Sequence, residues 1–223
     1  MSDLAEFSGK ARLFPLPNLV LFPHVMQPLH IFEPRYRQMT ADALEGDRVI
    51  AMVLPRPGWE ADYAGKPALH SIACLGRIIA EQHLDDGRFN ILLRGQARVR
   101  IIREMPSKKL YRCARVEVLD EIPPADEECA RHWRRALRAD SVRWFADQEE
   151  VIDQFRTLLE SDIALGSLCD IFAFALPLDA EFKQTLLEEL NVETRLKMLR
   201  DYMIARETLA AVKRKFPPEF SVN

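Results

Sequence analysis

The side chains of this 223-residue chain best suited to bond-making chemistry are a lysine after a glycine-containing loop, a serine beside a lysine, five histidines and four cysteines. Their spacing argues against catalysis. In Gly58-Trp59-Glu60-Ala61-Asp62-Tyr63-Ala64-Gly65-Lys66-Pro67, six residues separate the glycines where a phosphate-binding loop has four. Pro67 also stands where a Ser or Thr would have to reach magnesium. Ser107 and Lys108 are adjacent, but adjacency does not activate a hydroxyl; a base has to meet it in space, and a polar turn is the simpler reading. There is no Gly-x-Ser-x-Gly elbow. His24, His30, His70, His83 and His132 contain no pair at helical i, i+4 spacing. His70 and Cys74 lie four apart in a segment that reads as a strand, which supplies two ligands where structural zinc needs four. Cys74, Cys113, Cys129 and Cys169 form no Cys-x-x-Cys pair, as expected of buried free thiols in a reducing compartment. The expectation is a chain that is not an enzyme, with no metal and no cofactor.

Three groups of residues could instead bind a partner. Glu33, Arg35 and Tyr36 follow an apolar strand and open a helix. They make either a polar patch at the mouth of a β fold or an ordinary helix start, with Glu33 favoured by the dipole and Tyr36 packed beneath. Trp59 and Tyr63 sit in a loop rich in Pro and Gly, as a lid folded onto the core or as an exposed contact. Arg94, Arg98, Arg100 and Arg103 lie along one strand. They could line a groove for acidic peptide or RNA, but Phe89 is the only aromatic nearby and the chain is not basic overall, so a solvated face pairing with acidic helices is the plainer reading.

The elements that must position these residues fall into two parts. Residues 1–118 carry 17 Lys+Arg against 13 Asp+Glu, a net of +4, and hold seven of the eight glycines. Residues 119–223 carry 14 against 21, a net of -7, and the whole chain is -3. The first part reads as strands over Ala11–Leu16, Gln27–Ile31 and Val49–Leu54, with a helical pattern from Phe32 to Leu44. Leu75–Leu84 and Phe89–Leu93 form a hairpin across Asp86-Gly87. Gly95 marks a bulge or close approach in the second arm. Beyond it Arg98 and Arg100 share one face while Val99 and Ile101 share the other. Tyr111–Leu119 alternates again. The second part reads as helices over Ala125–Phe145, Glu149–Leu159, Ser167–Ala175, Ala180–Leu190 behind an Asp179 cap, and from Asn191 to about Phe216. Trp133, Leu137, Trp144 and Phe145 make a core stripe. The double proline Pro123-Pro124 sets the boundary, giving 1–122 as a β subdomain with one short helix and 123–223 as an α-helical bundle. Hydrophobic residues at 48% and charged residues at 29% fit a globular chain. The N-terminus lacks a signal-peptide run, and no stretch approaches the ~20 apolar residues of a membrane span, so a cytoplasmic protein with no membrane partner is expected.

Several runs together resemble the N-terminal domain of the Lon protease family. They are Leu13-Phe14-Pro15-Leu16-Pro17-Asn18-Leu19-Val20-Leu21-Phe22-Pro23; Pro28-Leu29-His30-Ile31-Phe32-Glu33-Pro34-Arg35-Tyr36; Gly76-Arg77-Ile78; Asp86 to Gly95; Arg98 to Ile101; and Leu176-Pro177-Leu178-Asp179 with Lys183 to Glu188 and Arg195-Leu196. The likeness spans roughly residues 11–205. It implies an α+β chain in which a PUA-like β-barrel or twisted sheet is followed by a C-terminal helical bundle. In full Lon proteases this region helps to engage protein substrates and to organise the ring, without chemistry of its own. This chain resembles a stand-alone bacterial form, because the sequence ends at Asn223 without the ATPase and peptidase.

The function expected is therefore non-catalytic recognition of polypeptide segments or unfolded proteins, in the cleft between the β part and the bundle or by strand addition to a sheet edge. A separate protease or chaperone and a second copy of the chain are further candidate partners. The alternative is an RNA-binding PUA-like protein using the strand from Arg94 to Arg103, although nucleic acid is not favoured. A hydrolase acting alone is the reading the residues support least.

Overall fold

The computed structural model describes residues 7–62, 65–144 and 149–215. Six strands come first, with one helix among them: β1 (Lys10–Pro15), β2 (Met26–Ile31), α1 (Pro34–Leu44), β3 (Val49–Val53), β4 (Ile72–His83), β5 (Phe89–Met105) and β6 (Arg112–Leu119). Five helices follow: α2 (Glu127–Trp144), α3 (Glu149–Glu160), α4 (Leu165–Ala175), α5 (Ala180–Glu188) and α6 (Val192–Lys215). The chain is α+β, with most of its helix in the C-terminal part.

The sheet runs β2-β5-β4-β3-β1-β6, and an added pairing of β5 with β6 closes five of the strands on themselves. β1 and β3 are parallel; the other pairs are antiparallel. The interior of so small a barrel is narrow, and its sequence fits that space. Ala11, Ala51, Ala73 and Ala114 alternate with Leu13, Val49, Val53, Leu75, Val99 and Val116 to fill it. Val99 faces this core and Ile101 packs against it, as the alternation in the second hairpin arm predicts. Burial of each such Val or Leu contributes about 1.5–3 kcal/mol relative to exposure. The apolar run Leu19–Phe22 is not a strand; Val20, Leu21 and Phe22 are buried in the connection to β2.

β5, 17 residues long, does two jobs. From Arg98 onward it pairs with β6 in the closed barrel, whereas Phe89–Arg94 pairs with β2. β4 follows it along its other side from Ile72 to His83. β3 reaches β4 only as far as Arg77. The outer parts of β4 and β5 thus form, with β2, a three-stranded extension beyond the barrel. Two irregularities shape this arm. Gly76 pairs with Gly95 while Leu75 pairs with Ala97, so Gln96 is an extra residue; Ile79 is skipped in the same way between Ile78 and Ala80. Gly87, at the hairpin turn, has φ +77°, a conformation that glycine adopts without penalty.

The described residues gather into two compact units, and the units do not follow chain order. One runs to Asp120 and takes in Asp170–Leu190; the other comprises Glu121–Cys169 and resumes at Asn191. A boundary near residue 122 drawn from composition therefore misses the return of 170–190 to the sheet. The physical reason is polar as well as apolar. The Arg98 guanidinium donates to both oxygens of Asp170, at 2.9 and 2.7 Å, and to the Leu187 carbonyl at 2.9 Å. Gln184 donates to the Ile72 carbonyl at 3.0 Å, and a His70 ring nitrogen lies 3.1 Å from Glu188. Asp179 caps α5 by accepting from the Phe182 amide at 2.8 Å, as its position predicts.

In the second unit α2 packs on α3 and α6. Leu196, Leu199 and Met203 form the buried stripe of α6. On α2, Leu137 is buried and Trp133 and Trp144 are half-buried, while Phe145 lies outside the described residues. Arg134 satisfies the carbonyls at the end of α3, donating to Leu159 at 3.0 Å, Ser161 at 3.1 Å and Ile163. Arg195, fully buried, donates to Glu121 at 2.8 Å and to the Gly166 carbonyl at 3.3 Å.

All four cysteines are free thiols. Burial pushes the Cys74 thiol far up, the nearby Asp170 adding to the rise and Arg98 opposing it. Cys74 and Cys169 should resist alkylation by iodoacetamide at pH 8 in the native protein, and Cys113 and Cys129, both partly exposed, should react first. Peptide mass mapping after a short pulse measures this. Labelling of Cys74 at the rate seen in urea would contradict the burial described here.

Candidate functional site

Glu33, Arg35 and Tyr36 come together at the start of α1. The Glu33 carboxylate does not cap the helix through its side chain; it binds Arg35 at 2.9 Å. The Arg35 guanidinium lies 4.6 Å above the Tyr36 ring. Tyr36 is buried, packs with its ring tilted 51° against Phe14 at 4.4 Å and donates its hydroxyl to the Pro15 carbonyl at 3.1 Å. These three residues therefore build the helix start, and Arg35 and Tyr36 also line a pocket of about 140 Å³.

The rest of that pocket comes from segments far apart in the chain. Pro15 ends β1, Glu104 and Met105 end β5, Ser107 to Leu110 form the following loop, Tyr111 and Arg112 start β6, and Gly65 and Lys66 come from the Pro/Gly loop. Arg112 fixes one wall by donating to Glu104 at 2.9 Å and to the Pro67 carbonyl at 2.7 Å. That contact holds the Glu104 carboxyl below the usual range against the opposing effect of burial. Tyr111 donates to Asp42 at 2.7 Å and Lys109 approaches the same carboxylate at 3.0 Å. Burial alone would raise Asp42, but these two hydrogen bonds bring it below its ordinary value. Tyr111 is pushed up by burial and by Asp42, so it stays a neutral phenol.

The arginine strand is not one surface. Arg98 is 3% exposed and locked to Asp170. Arg100, on the same face, is exposed and meets Glu117 at 3.4 Å. Arg94 is half-buried, opposite Met26 on β2 and Arg77 on β4. Trp59 is half-buried in a 3-10 turn, Trp59–Asp62; Tyr63 lies outside the described residues. Among the described residues no group of three or more His, Cys, Asp or Glu could hold a metal ion. No helix there is long and apolar enough to cross a membrane.

The surface that the residue pattern did not single out is the extension. Met26 (55%), Phe32 (60%) and Ile79 (40%) are exposed there or just past β2. A groove runs over Pro28, Leu29, His30, Ala80, Glu81, Gln82, Asn90, Ile91 and Leu92. A polar ladder crosses it, from His30 to Asn90 at 2.7 Å and from Asn90 to Gln82 at 3.0 Å. Its two edges differ. On β2, Pro28 has no amide hydrogen, and its carbonyl already accepts from the Gln27 side chain at 2.7 Å; proline is a common guard of an edge strand. On β4, residues Ile79 to His83 are exposed, and among the described residues no strand lies on their side away from β5. The Arg48 backbone carbonyl accepts from the Ile78 amide and its side chain reaches Glu81, which marks where β3 stops. The switch from Cys74-Leu75-Gly76 to the polar run Glu81-Gln82-His83 within one hairpin arm shows where the strand becomes wet, but not that its edge is open.

This fold is shared by solved structures. The N terminal domain of the Mycobacterium avium complex Lon protease superposes with a TM-score of 0.66 at 17% identity, covering 87% of this chain and 97% of that one. A Lon N-terminal domain protein from Xanthomonas campestris gives 0.59 at 24%, covering 87% and 98%. The family model of the ATP-dependent protease La (LON) substrate-binding domain matches residues 10–205, and the chain belongs to that family. Among curated relatives, Lon protease 2 of Desulfotalea psychrophila is 27% identical over 206 residues, 91% of this chain and 26% of the relative. Lon protease 2 of Herpetosiphon aurantiacus is 28% identical over 194 residues, 84% and 23%. The chain thus spans about a quarter of the length of these relatives.

Proposed function

We propose that the chain is a non-catalytic module that holds exposed segments of other polypeptides on the three-stranded extension of its sheet. The observation that carries this reading is an open strand edge, Ile79 to His83, that begins at the exposed apolar Ile79, on an extension whose far side, at β2, also exposes Met26 and Phe32. An extended segment added beside β4 would satisfy its outward amide and carbonyl groups, and the apolar groups would supply affinity for unfolded rather than folded chains. The β2 edge, guarded at Pro28, is not the docking edge. The family's description as a substrate-binding domain supports the same reading, and a separate protease or chaperone would then act on what is held.

The RNA alternative loses its central residue. Arg98 is committed to Asp170 inside the unit, so the strand does not present a continuous row of cations to phosphate.

The test uses fluorescently labelled, reduced and carboxymethylated α-lactalbumin, with the disulfide-intact protein as the folded control. The chain should bind the unfolded probe at micromolar concentration and leave it uncut on a gel. Ile79→Lys should weaken binding at least fivefold without moving the thermal midpoint, since Ile79 lies on the exposed edge. Equal affinity for folded and unfolded probe, or cleavage by the purified chain, would overturn the proposal.

A further inference from the structure

We propose that the pocket beside the first turn of α1 receives a carboxylate of the bound polypeptide, either its C-terminal carboxylate or an Asp or Glu side chain. This rests on the polypeptide-binding reading above and assigns one chemical feature to what is bound.

The size of the pocket sets the first limit. Its volume of about 140 Å³ equals a few waters at about 30 Å³ each. That accommodates a carboxylate with one or two carbons behind it. Charge sets the second. Arg35, Lys66, Lys109 and Arg112 line the pocket against one lining carboxylate, Glu104. Three acids stand close behind the wall, Glu33, Asp42 and Asp62, the last accepting from the Lys66 amide at 3.0 Å; they balance the cations in sum, so the positive excess is confined to the lining itself.

The cations also divide by role. Arg112 has its guanidinium spread over Glu104 and the Pro67 carbonyl, and Arg35 lies between Glu33 and the Tyr36 ring, so both are fixed parts of the wall. The two lysines are the adaptable donors. Lys66 makes no ion pair among the described residues, and Lys109 touches only Asp42, with a half-exposed side chain. An ammonium group has three donors, so Lys109 can keep Asp42 and accept a second carboxylate. Because Asp42 and Glu104 are held ionised, neither offers a proton to a ligand oxygen, and the lysines must do so.

The walls suit an amino-acid residue. Pro15, Met105, Tyr36 and Tyr111 supply apolar surface, and Leu110, 63% exposed, stands at the rim. The loop that carries Lys109 and Leu110 is pinned to α1, because the Leu110 amide donates to the Gln38 side chain at 2.8 Å. The recess is therefore preformed and does not depend on ligand to order the loop.

The experiment uses the whole chain and four fluorescein-labelled ten-residue peptides of one Leu/Val/Ser sequence. Two differ only in a free acid or an amide at the C-terminus; two amidated forms differ only in Glu or Gln at the last position. Binding is read by anisotropy in 50 mM salt. A free acid at least fivefold tighter than its amide assigns the terminal carboxylate, and a Glu peptide at least fivefold tighter than its Gln twin assigns the side chain. In Lys66→Gln/Lys109→Gln the preference should fall below twofold, with an unchanged circular-dichroism melting curve and retained binding of unfolded α-lactalbumin. Equal affinity within both pairs, or no peptide binding while unfolded α-lactalbumin still binds, overturns the pocket assignment and leaves the broader reading standing. Loss of both overturns both. Stronger displacement of the free-acid peptide by a ten-nucleotide uridine RNA than by unlabelled peptide overturns the proposal in favour of phosphate.

Discussion

Arg98→Ala is expected to destabilise the chain by about 3–5 kcal/mol, the cost of leaving one member of a buried ion pair uncompensated. The Arg98 and Asp170 side chains are 3% and 1% exposed, so bulk water has little access to the partner left behind. Arg98 also satisfies the Leu187 carbonyl, so the same substitution orphans a backbone acceptor on α5. Asp170→Ala should cost a similar amount by stranding the guanidinium. The double substitution Arg98→Met/Asp170→Leu should recover much of the loss, because a matched apolar pair of similar volume avoids desolvating two charges. Urea denaturation of the four proteins measures the coupling. The loss should also be local before it is global, with amide exchange rising first in α5, whose attachment to β4 and β5 rests on Arg98, Gln184 and His70. A single-variant loss below about 1 kcal/mol would show that this pair does not hold residues 170–190 to the sheet.

That same pair marks how far the sequence could be read. Alternation separated Val99 and Ile101 from Arg98 and Arg100 correctly, because a pleated strand enforces two faces. It could not say that the arginine face is wet at Arg100 and dry at Arg98. The difference is made by Asp170, 72 residues away, on a helix whose own pattern is almost uniformly apolar. Local signals with local causes were legible: the Asp179 cap, the turn at Gly87, the helix from Pro34 with Tyr36 beneath it. The pocket was not, since its cations come from α1, the loop after the 3-10 turn, the loop before β6, and β6 itself. Of its lining, Arg35 and Tyr36 could be suspected of binding through their place after an apolar strand; Gly65-Lys66 and Ser107 drew notice only as catalytic motifs that their spacing argued against. The open edge of β4 was also hidden. Exposure of Ile79 to His83 depends on β3 being five residues long while β4 has 12, and strand lengths are read less reliably than strand existence. Tertiary closure decides both features, and a pattern read along the chain does not contain it.

Gly95→Ala is the second large effect, and it connects stability to the proposed binding surface. A Cβ at residue 95 would lie 2.0 Å from the Phe22 carbonyl oxygen and 3.1 Å from the Pro23 Cα. Both obstacles are backbone, so no rotamer change relieves them. The segment cannot simply step away either. The Gly95 amide donates to the Val25 carbonyl at 2.8 Å, and the His24 amide donates to the Gly95 carbonyl at 3.0 Å, so residues 22–25 grip this glycine from both sides. Relief requires breaking that grip, and a loss of about 3 kcal/mol, at the upper end for overpacked sites, is expected. Gly76→Ala is the internal control. Its Cβ would meet the Leu93 side chain at 2.8 Å, an obstacle that can rotate, and the loss should be smaller. Because the gripped segment leads directly into Met26, opposite Arg94, the damage should spread to the pairing of β2 with β5. Amide exchange at Leu29 and Ile31 should rise more than at Ala51 or Ala73 in the closed barrel, and binding of unfolded α-lactalbumin should fall even at temperatures where the barrel remains folded. Unchanged exchange in β2 together with a wild-type melting curve would mean that Gly95 and Phe22 do not approach this closely in solution.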